Sequence, residues 1–259
     1  MITKIESKQN STLKQLARLA KEKKFRQNMN RIVCEGEKML FEALSSGVKV
    51  HTVLLKDNHD INENLLNMAI NQGVNIFMAD EKLFSLASDV ETPQNVLFSC
   101  DMPHKMADEI PDKIDNAIIL DAIQDPGNLG TILRTADAFN LSAVILCEGC
   151  TDPFAPKVVR STMGAIFRQP IYKMSVEQAV VSMHTRGLDV YAAALCEDSI
   201  PINKINIKNK AVVIGNEGNG VSKTTLSLCD KKIIIPMSGA AESLNASVAA
   251  SILIWEMSV

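Results

Sequence analysis

The sequence has no long hydrophobic run. No stretch of about 18 uninterrupted apolar residues occurs, although 46% of the 259 residues are hydrophobic, so we expect no membrane-spanning helix. The N-terminus MITKIESKQN also lacks the apolar core of a secretory signal peptide. We therefore expect a cytoplasmic protein, and the length favours two domains over one.

The sequence also lacks a pattern of metal ligands. Cys147 and Cys150 form a C-x-x-C pair, but there is no second pair with similar spacing, as zinc would require. The residues after the pair, TDP, predict a loop and not the helix start typical of a redox pair. The histidines are scattered without metal spacing, at His51, His59, His104 and His184. We expect no metal, and we interpret the six cysteines as free thiols.

The net charge of −3 is unevenly distributed along the chain. Residues 1–31 contain nine basic and two acidic residues, a local charge of +7, so the remainder carries −10. A basic segment of this kind favours binding to a phosphate backbone and hence to nucleic acid. A solvated, lysine-rich helix face has the same composition, so the charge alone leaves both interpretations open.

Apolar periodicity predicts a small α/β domain over residues 1–100. Strands are expected at 32–34, 50–55, 74–78 and 96–100, and helices at 10–24, 37–44, 63–72 and 81–87. Residues 101–116 contain two prolines and several charges and are predicted to be a linker.

A second α/β alternation is predicted over residues 117–259. Strands are expected at 117–121, 143–147, 189–194, 211–215 and 232–236, and helices at 129–139, 155–163, 176–186, 221–228 and 245–257. The strands are apolar throughout, which is typical of a parallel sheet covered on both faces.

Three of these strands are followed by loops suited to ligand binding. Residues 235–250, IPMSGAAESLNASVAA, place small residues between a strand and a helix, and small residues let a ligand approach the backbone closely. Residues 212–222, VVIGNEGNGVS, combine a strand, a glycine-rich turn and a helix start. Residues 118–139, IILDAIQDPGNLGTILRTADAF, combine a strand, the turn DPGN and a helix expected from Leu129. Each segment alone is also compatible with an ordinary strand-to-helix connection.

Together these segments resemble the three sequence motifs of the SpoU (TrmH-type) RNA ribose 2′-O-methyltransferases, a family of the SPOUT superfamily. The motifs are NLGTILRTA, IGNEGNG and IPM with ESLNASVA, and the resemblance covers roughly residues 115–259. More weakly, FRQNMNRIVCEGEKMLFEAL resembles the small RNA-binding domain that precedes the catalytic domain in many members. The resemblance implies an α/β fold, with a C-terminal parallel-sheet SPOUT domain that contains a deep trefoil knot, preceded by a small α/β RNA-binding domain. True knots are nearly absent from proteins, so the knot rests on the resemblance alone.

The resemblance implies methyl transfer from S-adenosylmethionine to a ribose 2′-hydroxyl of RNA, and the N-terminal domain favours ribosomal RNA. Carried over by position, the cofactor contacts are Gly215, Ile235 and Leu244. Glycine at position 215 suits a close approach of the adenosine to the backbone. Without the resemblance, Ile235 and Leu244 would be interpreted as core residues.

The resemblance places catalysis at Arg134, with Asn128, Glu217, Ser243 and Asn245 around it. A guanidinium group keeps its proton in nearly all settings, so we favour stabilisation of the forming alkoxide, or a clamp on the adjacent phosphate, over general-base catalysis. Asn128 and Asn245 are expected to hold Arg134 and the ribose by amide hydrogen bonds. Ser243 either orients the substrate or caps the last helix, and the sequence favours the cap. Glu217 either pairs with a cation or is a solvated turn residue.

The spacing of Asn128 and Arg134 restricts how they can meet. Six residues correspond to about 600° of rotation along an α-helix, so the two side chains do not share one stripe. They can still converge if Asn128 caps the helix and the arginine side chain reaches back toward the helix N-terminus.

One more segment matches the family, and the final helix is strongly apolar. In residues 155–167, APKVVRSTMGAIF, Arg160 and Ser161 either face RNA or a second subunit, or belong to a surface helix. The final helix indicates a homodimer interface, which the family also implies, or packs against the protein's own sheet. Its apolar residues are Ile252, Leu253, Trp255 and Met257.

The sequence leaves three alternatives to a ribosomal RNA methyltransferase. The substrate is transfer RNA in the first. The second, a non-catalytic RNA-binding protein of the same fold, is disfavoured by the presence of Asn128, Arg134, Ser243 and Asn245. The third, a nucleotide-dependent oxidoreductase, is disfavoured because no G-x-G-x-x-G follows the first strand of the second domain.

Overall fold

A computed structural model describes residues 2–103 and 110–259. The chain divides into two compact units. The first contains the residues up to Pro103 together with Phe154–Arg168. The second contains the described residues 110–153 together with Gln169–Val259. Part of the predicted linker 101–116, and His104 within it, lie outside the described residues. Among the described residues, no helix has both the length and the apolar character needed to cross a membrane.

The first unit is built on a five-stranded mixed sheet. Its strands are β1 (Ile2–Ile5), β2 (Arg31–Glu35), β3 (Val50–Lys56), β4 (Asn75–Ala79) and β5 (Val96–Asp101), in the order β1-β4-β3-β5-β2. Strands β1, β4 and β3 are parallel, whereas β5 runs antiparallel to both β3 and β2. The edge strand β1 was not predicted, because its sequence ITKI is short and three of its four residues are exposed.

Helices cover this sheet. They are α1 (Ser11–Lys21), α2 (Lys23–Met29), α3 (Glu37–Ser45), α4 (Glu63–Asn71), α5 (Glu81–Ala87) and a further helix at Pro156–Thr162. The single helix predicted at 10–24 is wrong, because Glu22 adopts an extended backbone (φ −109°, ψ 105°) that separates α1 from α2. Leu13, Leu16 and Leu19 lie on one face of α1 and are buried in the core of the unit.

The second unit contains a seven-stranded sheet in which every strand pair is parallel. Its strands are β6 (Ala117–Leu120), β7 (Ala143–Leu146), β8 (Ile171–Lys173), β9 (Val190–Ala193), β10 (Ile200–Pro201), β11 (Ala211–Ile214) and β12 (Lys231–Ile234), in the order β10-β12-β9-β11-β6-β7-β8. Consecutive residues such as Ile118 and Ile119 are both fully buried, so helices cover both faces. The predicted parallel sheet is confirmed. The sequence did not predict β8 and β10, which have only three and two residues.

The helices of the second unit are α6 (Pro126–Ala138), α8 (Val176–Thr185), α9 (Lys223–Leu228) and α10 (Ala246–Ser258), and α7 is the Pro156–Thr162 helix of the first unit. Because the strands are parallel, the loops that follow β6, β9, β11 and β12 all leave the same edge of the sheet. Helices α6 and α10 lie side by side, joined by a hydrogen bond of 3.0 Å between the hydroxyls of Thr135 and Ser251. The trefoil knot stays a prediction of the resemblance.

Candidate active site at the carboxyl edge of the parallel sheet

A cavity of about 400 Å³ lies at the carboxyl edge of the second sheet. Three loops form its walls, and we call it the three-loop cavity. They are the β9 loop (193–196), the glycine loop after β11 (215–220) and the loop after β12 (235–244). Helix α10 adds Ala246 and Ala249 to the lining. The volume lies within the range of about 300–1,000 Å³ that small-molecule sites occupy.

Five of the predicted site residues line this cavity. They are Gly215, Glu217, Ile235, Ser243 and Leu244. Ile235 and Leu244 are only half-buried at the cavity wall, so the alternative that they are plain core residues is wrong.

The backbone at Gly215 leaves no room for a side chain. A Cβ atom there would lie 2.1 Å from the carbonyl carbon of Gly220 and 2.2 Å from the nitrogen of Val221. The glycine loop folds back in this way because Asn216 and Gly220 exchange two backbone hydrogen bonds, of 3.0 and 2.8 Å. Gly220 also has a positive φ of 67°, which favours glycine.

A chain of side-chain hydrogen bonds joins the three sequence motifs. Asn128 donates from its amide to Glu217 Oε1 at 3.0 Å, and Asn245 donates to Asn128 Oδ1 at 3.0 Å. Asn128 is buried, and buried amide groups require such partners. The loops before α6, after β11 and before α10 are therefore held together by one continuous set of bonds.

Glu217 also anchors the loop before α6. Its carboxylate accepts backbone N–H groups from Gln124 at 3.3 Å and from Asp125 at 3.2 Å. Burial disfavours the charged form of Glu217, but the bonds from Asn128 and from backbone N–H groups outweigh it, so the pKa of its carboxyl group is lowered. Neither sequence interpretation of Glu217 anticipated this role, in which it accepts bonds from a second loop.

The caps of the two helices differ from the predicted ones. Asp125 is the N-cap of α6 and accepts the N–H of Asn128 at 2.8 Å, so α6 begins at Pro126 and Asn128 lies inside its first turn. Asn245 is the N-cap of α10 and accepts from the N–H groups of Ser247 and Val248. The predicted capping role of Ser243 is therefore wrong, and Ser243 is an exposed residue at the cavity.

Arg134 does not line the three-loop cavity. Its side chain is exposed on α6, and within the described residues no hydrogen bond or ion pair involves it. The six residues from Asn128 correspond to about 9 Å along the helix, with a rotation away from the Asn128 side. The amide of Asn128 is bonded to Glu217 and Asn245, so the expected bonds from Asn128 and Asn245 to Arg134 are absent from the described part of one subunit.

An apolar groove lies between α6 and α10, and its residue Thr131 is one helical turn from Arg134. We call it the α6–α10 groove; it is lined by Thr131, Phe139, Ser247, Val248, Ser251, Ile252 and Trp255. Trp255 is 49% exposed, and Val248 and Phe139 are also exposed. The opposite side of α10, with Leu253 and Met257, is buried in the protein's own core. The final helix therefore packs on its own unit along one side and leaves the other side uncovered in one subunit.

Arg160 and Ser161 have partners within the first unit. Arg160 forms an ion pair of 2.8 Å with Asp89, and the hydroxyl of Ser161 donates to the carbonyl of Lys157 at 2.9 Å.

The local structure makes the C-x-x-C cysteines, Cys147 and Cys150, poor nucleophiles. Burial raises the pKa of both thiols, so neither is suited to act as a nucleophile.

Sequence reasoning missed the β9 loop. Ala193, Ala194, Leu195 and Cys196 line the cavity, and Leu195 is 78% exposed. The available signal was the run of small residues, AAA, at the end of an apolar strand. That signal becomes informative only when β9 is known to lie between β11 and β12.

The fold and the cavity define an α/β domain with a cavity of small-molecule size at the carboxyl edge of a parallel sheet. Comparison with known proteins gives the family: the chain belongs to the SpoU rRNA Methylase family, whose sequence profile matches residues 115–255. The profile of the MRM3-like substrate binding domain matches residues 10–97.

Individual relatives resemble the chain over almost its full length. The 23S rRNA (guanosine(2553)-2′-O)-methyltransferase RlmP of Bacillus subtilis (strain 168) is 37% identical, with 98% of each chain covered. The structure of an AdoMet-bound rRNA methyltransferase from Sinorhizobium meliloti matches with a TM-score of 0.85 and 30% identity, covering 99% of this chain and 97% of that one. The SpoU methyltransferase AviRb from Streptomyces viridochromogenes, in complex with AdoMet, matches with a TM-score of 0.82 and 25% identity, covering 96% and 97%.

Proposed function

We propose that this protein is an S-adenosylmethionine-dependent methyltransferase that acts on the ribose 2′-hydroxyl of RNA, and that its substrate is ribosomal RNA. The observation that carries the proposal is the hydrogen-bonded set Glu217–Asn128–Asn245, which joins the three motifs of the family beside a cavity of cofactor size. The similarity to RlmP over 98% of the chain supports the choice of ribosomal RNA. We place the protein in the cytoplasm.

The three-loop cavity fits S-adenosylmethionine. Gly215 presents bare backbone, because no Cβ fits there, and Ile235 and Leu244 provide apolar walls with backbone groups beside them. When bound, this cofactor supplies the methyl group on a positively charged sulfur.

The site residues of the chain have three roles. Transfer to a ribose oxygen requires in-line placement, loss of the hydroxyl proton and stabilisation of the negative charge that develops on the oxygen. We assign that stabilisation to the guanidinium of Arg134, since arginine does not serve as a proton acceptor. Ser243, exposed at the cavity, orients the substrate. Asn128, Glu217 and Asn245 hold the loops in place.

The position of Arg134 favours a homodimer formed through the α6–α10 groove. Arg134 is exposed on α6, one helical turn from Thr131, which lines the groove. A second copy seated on the groove covers Trp255 and Val248 and brings its own α6 close to this subunit. In a two-fold dimer each subunit then presents an arginine to its partner. We propose that the complete site combines the cavity of one subunit with Arg134 of the other.

The basic residues of the N-terminal segment differ in exposure and in their bonding partners. Arg26 is only 4% exposed and donates to the carbonyl of Leu19 at 3.0 Å, and Arg18 forms an ion pair of 2.9 Å with Glu22. Arg26 is therefore buried away from a phosphate, and the exposed Arg18 already has an acidic partner. Three exposed lysines cluster at the junction of α1 and α2, namely Lys21, Lys23 and Lys24. We propose this lysine cluster as a phosphate-binding surface for RNA.

Replacing Lys21, Lys23 and Lys24 together by alanine is expected to weaken RNA binding. Each phosphate contact to single-stranded RNA contributes about 0.7 to the salt slope, so loss of three contacts lowers the slope of log K against log salt by about 2. Filter binding from low to physiological salt measures this. Lys82→Ala, an exposed lysine of α5, is the control and should leave the slope unchanged. An unchanged slope in the triple variant would remove the lysine cluster from the interface.

The function itself is tested by the position of the transferred methyl group. The protein is incubated with methyl-labelled S-adenosylmethionine and unmodified ribosomal RNA, and the digested RNA is separated into nucleosides. We expect the label in a single 2′-O-methylnucleoside, and none with transfer RNA. Label on a nucleobase would contradict ribose chemistry, and label in transfer RNA alone would correct the substrate.

A further inference from the structure

Asn216 uses its whole side chain to connect two loops of the site. Its amide nitrogen donates to the carbonyl of Ala122 at 2.9 Å. Its amide oxygen accepts the backbone N–H groups of Gly218 at 2.9 Å and Asn219 at 3.1 Å. The same residue therefore shapes the glycine loop from within and ties it to residues 121–125, which we call the β6 loop.

The β6 loop is itself fixed in an unusual conformation. Ala122 has a positive φ of 59°, which is uncommon for a residue with a side chain. The loop is held on both sides of Ala122, since Asp121 accepts the hydroxyl of Thr225 at 2.7 Å and the N–H of Asp125 bonds to Glu217. A shift of the Ala122 carbonyl would therefore lengthen or break its hydrogen bond with Asn216.

The glycine loop has little freedom to absorb a change. Gly215 lies against the backbone of Gly220 and Val221, and Asn216 pairs with Gly220 across the turn. The inner side of this loop is a wall of the three-loop cavity. The position of Asn216 thus sets the position of the wall.

We propose that Asn216 is a positioning residue that sets cofactor affinity, by fixing the glycine loop against the β6 loop through its bond to the carbonyl of Ala122. This inference rests on the proposed cofactor site. Asn216 acts on the shape of the wall and takes no part in transfer, so its loss raises the dissociation constant of S-adenosylmethionine and leaves the rate at saturation nearly unchanged.

Asn216→Asp separates the two functions of the side chain. Aspartate retains an oxygen for the N–H groups of Gly218 and Asn219, so the turn within the glycine loop persists. It replaces the donor that faces Ala122 with a second acceptor, so the bond to the Ala122 carbonyl is lost, while the bonds from Gln124 and Asp125 to Glu217 still join the two loops. Asn203→Asp makes the same chemical change at an exposed residue of the same unit, outside the cavity. Thr225→Val is a second variant, which removes the bond from the Thr225 hydroxyl of α9 to Asp121, on the other side of Ala122.

The experiment measures S-adenosylmethionine binding by calorimetry, turnover on ribosomal RNA and thermal unfolding in the full-length protein. For Asn216→Asp we expect the dissociation constant to rise about tenfold, as for loss of one hydrogen bond, with kcat within about threefold of the unaltered protein. Thr225→Val should raise the dissociation constant less, and Asn203→Asp should match the unaltered protein. A purely structural role would lower the midpoint of unfolding without this split between affinity and kcat.

Two results would overturn the inference. One is an affinity for Asn216→Asp equal to that of Asn203→Asp. The other is a fall in kcat at unchanged affinity, which would place Asn216 at the reacting atoms. If the unaltered protein itself fails to bind S-adenosylmethionine, the proposed function fails and this inference fails with it. Normal binding by the unaltered protein and by Asn216→Asp alike overturns the inference alone.

Discussion

Arg134→Ala is expected to lower turnover about 100-fold or more, as for loss of a group that stabilises the transition state. S-Adenosylmethionine binding should stay within about twofold of the unaltered protein, because Arg134 does not line the three-loop cavity. Single-turnover methylation of ribosomal RNA at saturating cofactor measures the first quantity, and calorimetry measures the second.

Arg134→Lys is the matched variant. Lysine retains the charge but lacks the planar fork that grips an oxyanion or phosphate with two hydrogen bonds, so an intermediate rate is expected. Because Arg134 is exposed and makes no bond within the described part of one subunit, neither variant should change the unfolding temperature of the isolated subunit. Unchanged turnover in Arg134→Ala would remove Arg134 from the mechanism.

Gly215→Ala is expected to weaken cofactor binding strongly, with a dissociation constant raised about 100-fold or more. The added methyl group would lie 2.1 Å from the carbonyl carbon of Gly220, and backbone on both sides must move to relieve the contact. That movement distorts the wall of the three-loop cavity. Calorimetry with S-adenosylmethionine measures the effect.

Gly239→Ala is the control for this change. Gly239 belongs to the loop after β12, and a Cβ built there meets nothing within 4 Å. It adds the same methyl group near the same cavity, and cofactor affinity should be retained. Thermal unfolding of both variants separates a local distortion from a loss of the fold. Normal affinity in a folded Gly215→Ala protein would show that the glycine loop does not form the cofactor site.

The two variants together test the proposed dimer. A mixed dimer of Arg134→Ala and Gly215→Ala contains one intact cavity and one intact arginine, on different subunits. If the arginine acts across the dimer, random mixing restores about a quarter of the activity, since about half of the dimers are mixed and each has one complete site. Without any recovery, Arg134 would have to act in its own subunit.

Much of the second unit could be predicted because its local signals agree with its tertiary structure. Strands β6 and β11 are continuous apolar runs, and both are fully paired in the parallel sheet. Helix α6 begins three residues earlier than expected, at Pro126, although Asp125 and Pro126 are a typical cap and first residue. In the first unit the end of α1 at Glu22 could not be predicted, because no glycine or proline marks it in the basic segment.

The candidate site could be predicted only as a set of residues. The bond from Asn128 to Glu217 spans 89 positions of sequence, and periodicity contains no information about such a pair. The same limit applies to the hydrogen bonds expected between Arg134 and the two asparagines. Helix geometry alone showed that it does not share a stripe with Asn128, but only the structure shows that the Asn128 amide is already bonded elsewhere.

The most direct measurement is a transcriptome-wide map of ribose methylation in cells that lack this protein. We expect one 2′-O-methyl group to disappear from ribosomal RNA, to return when the unaltered gene is supplied, and to stay absent when Arg134→Ala or Gly215→Ala is supplied. An unchanged map, or a lost methyl group on a base, would contradict the assignment of ribose methylation to this cavity.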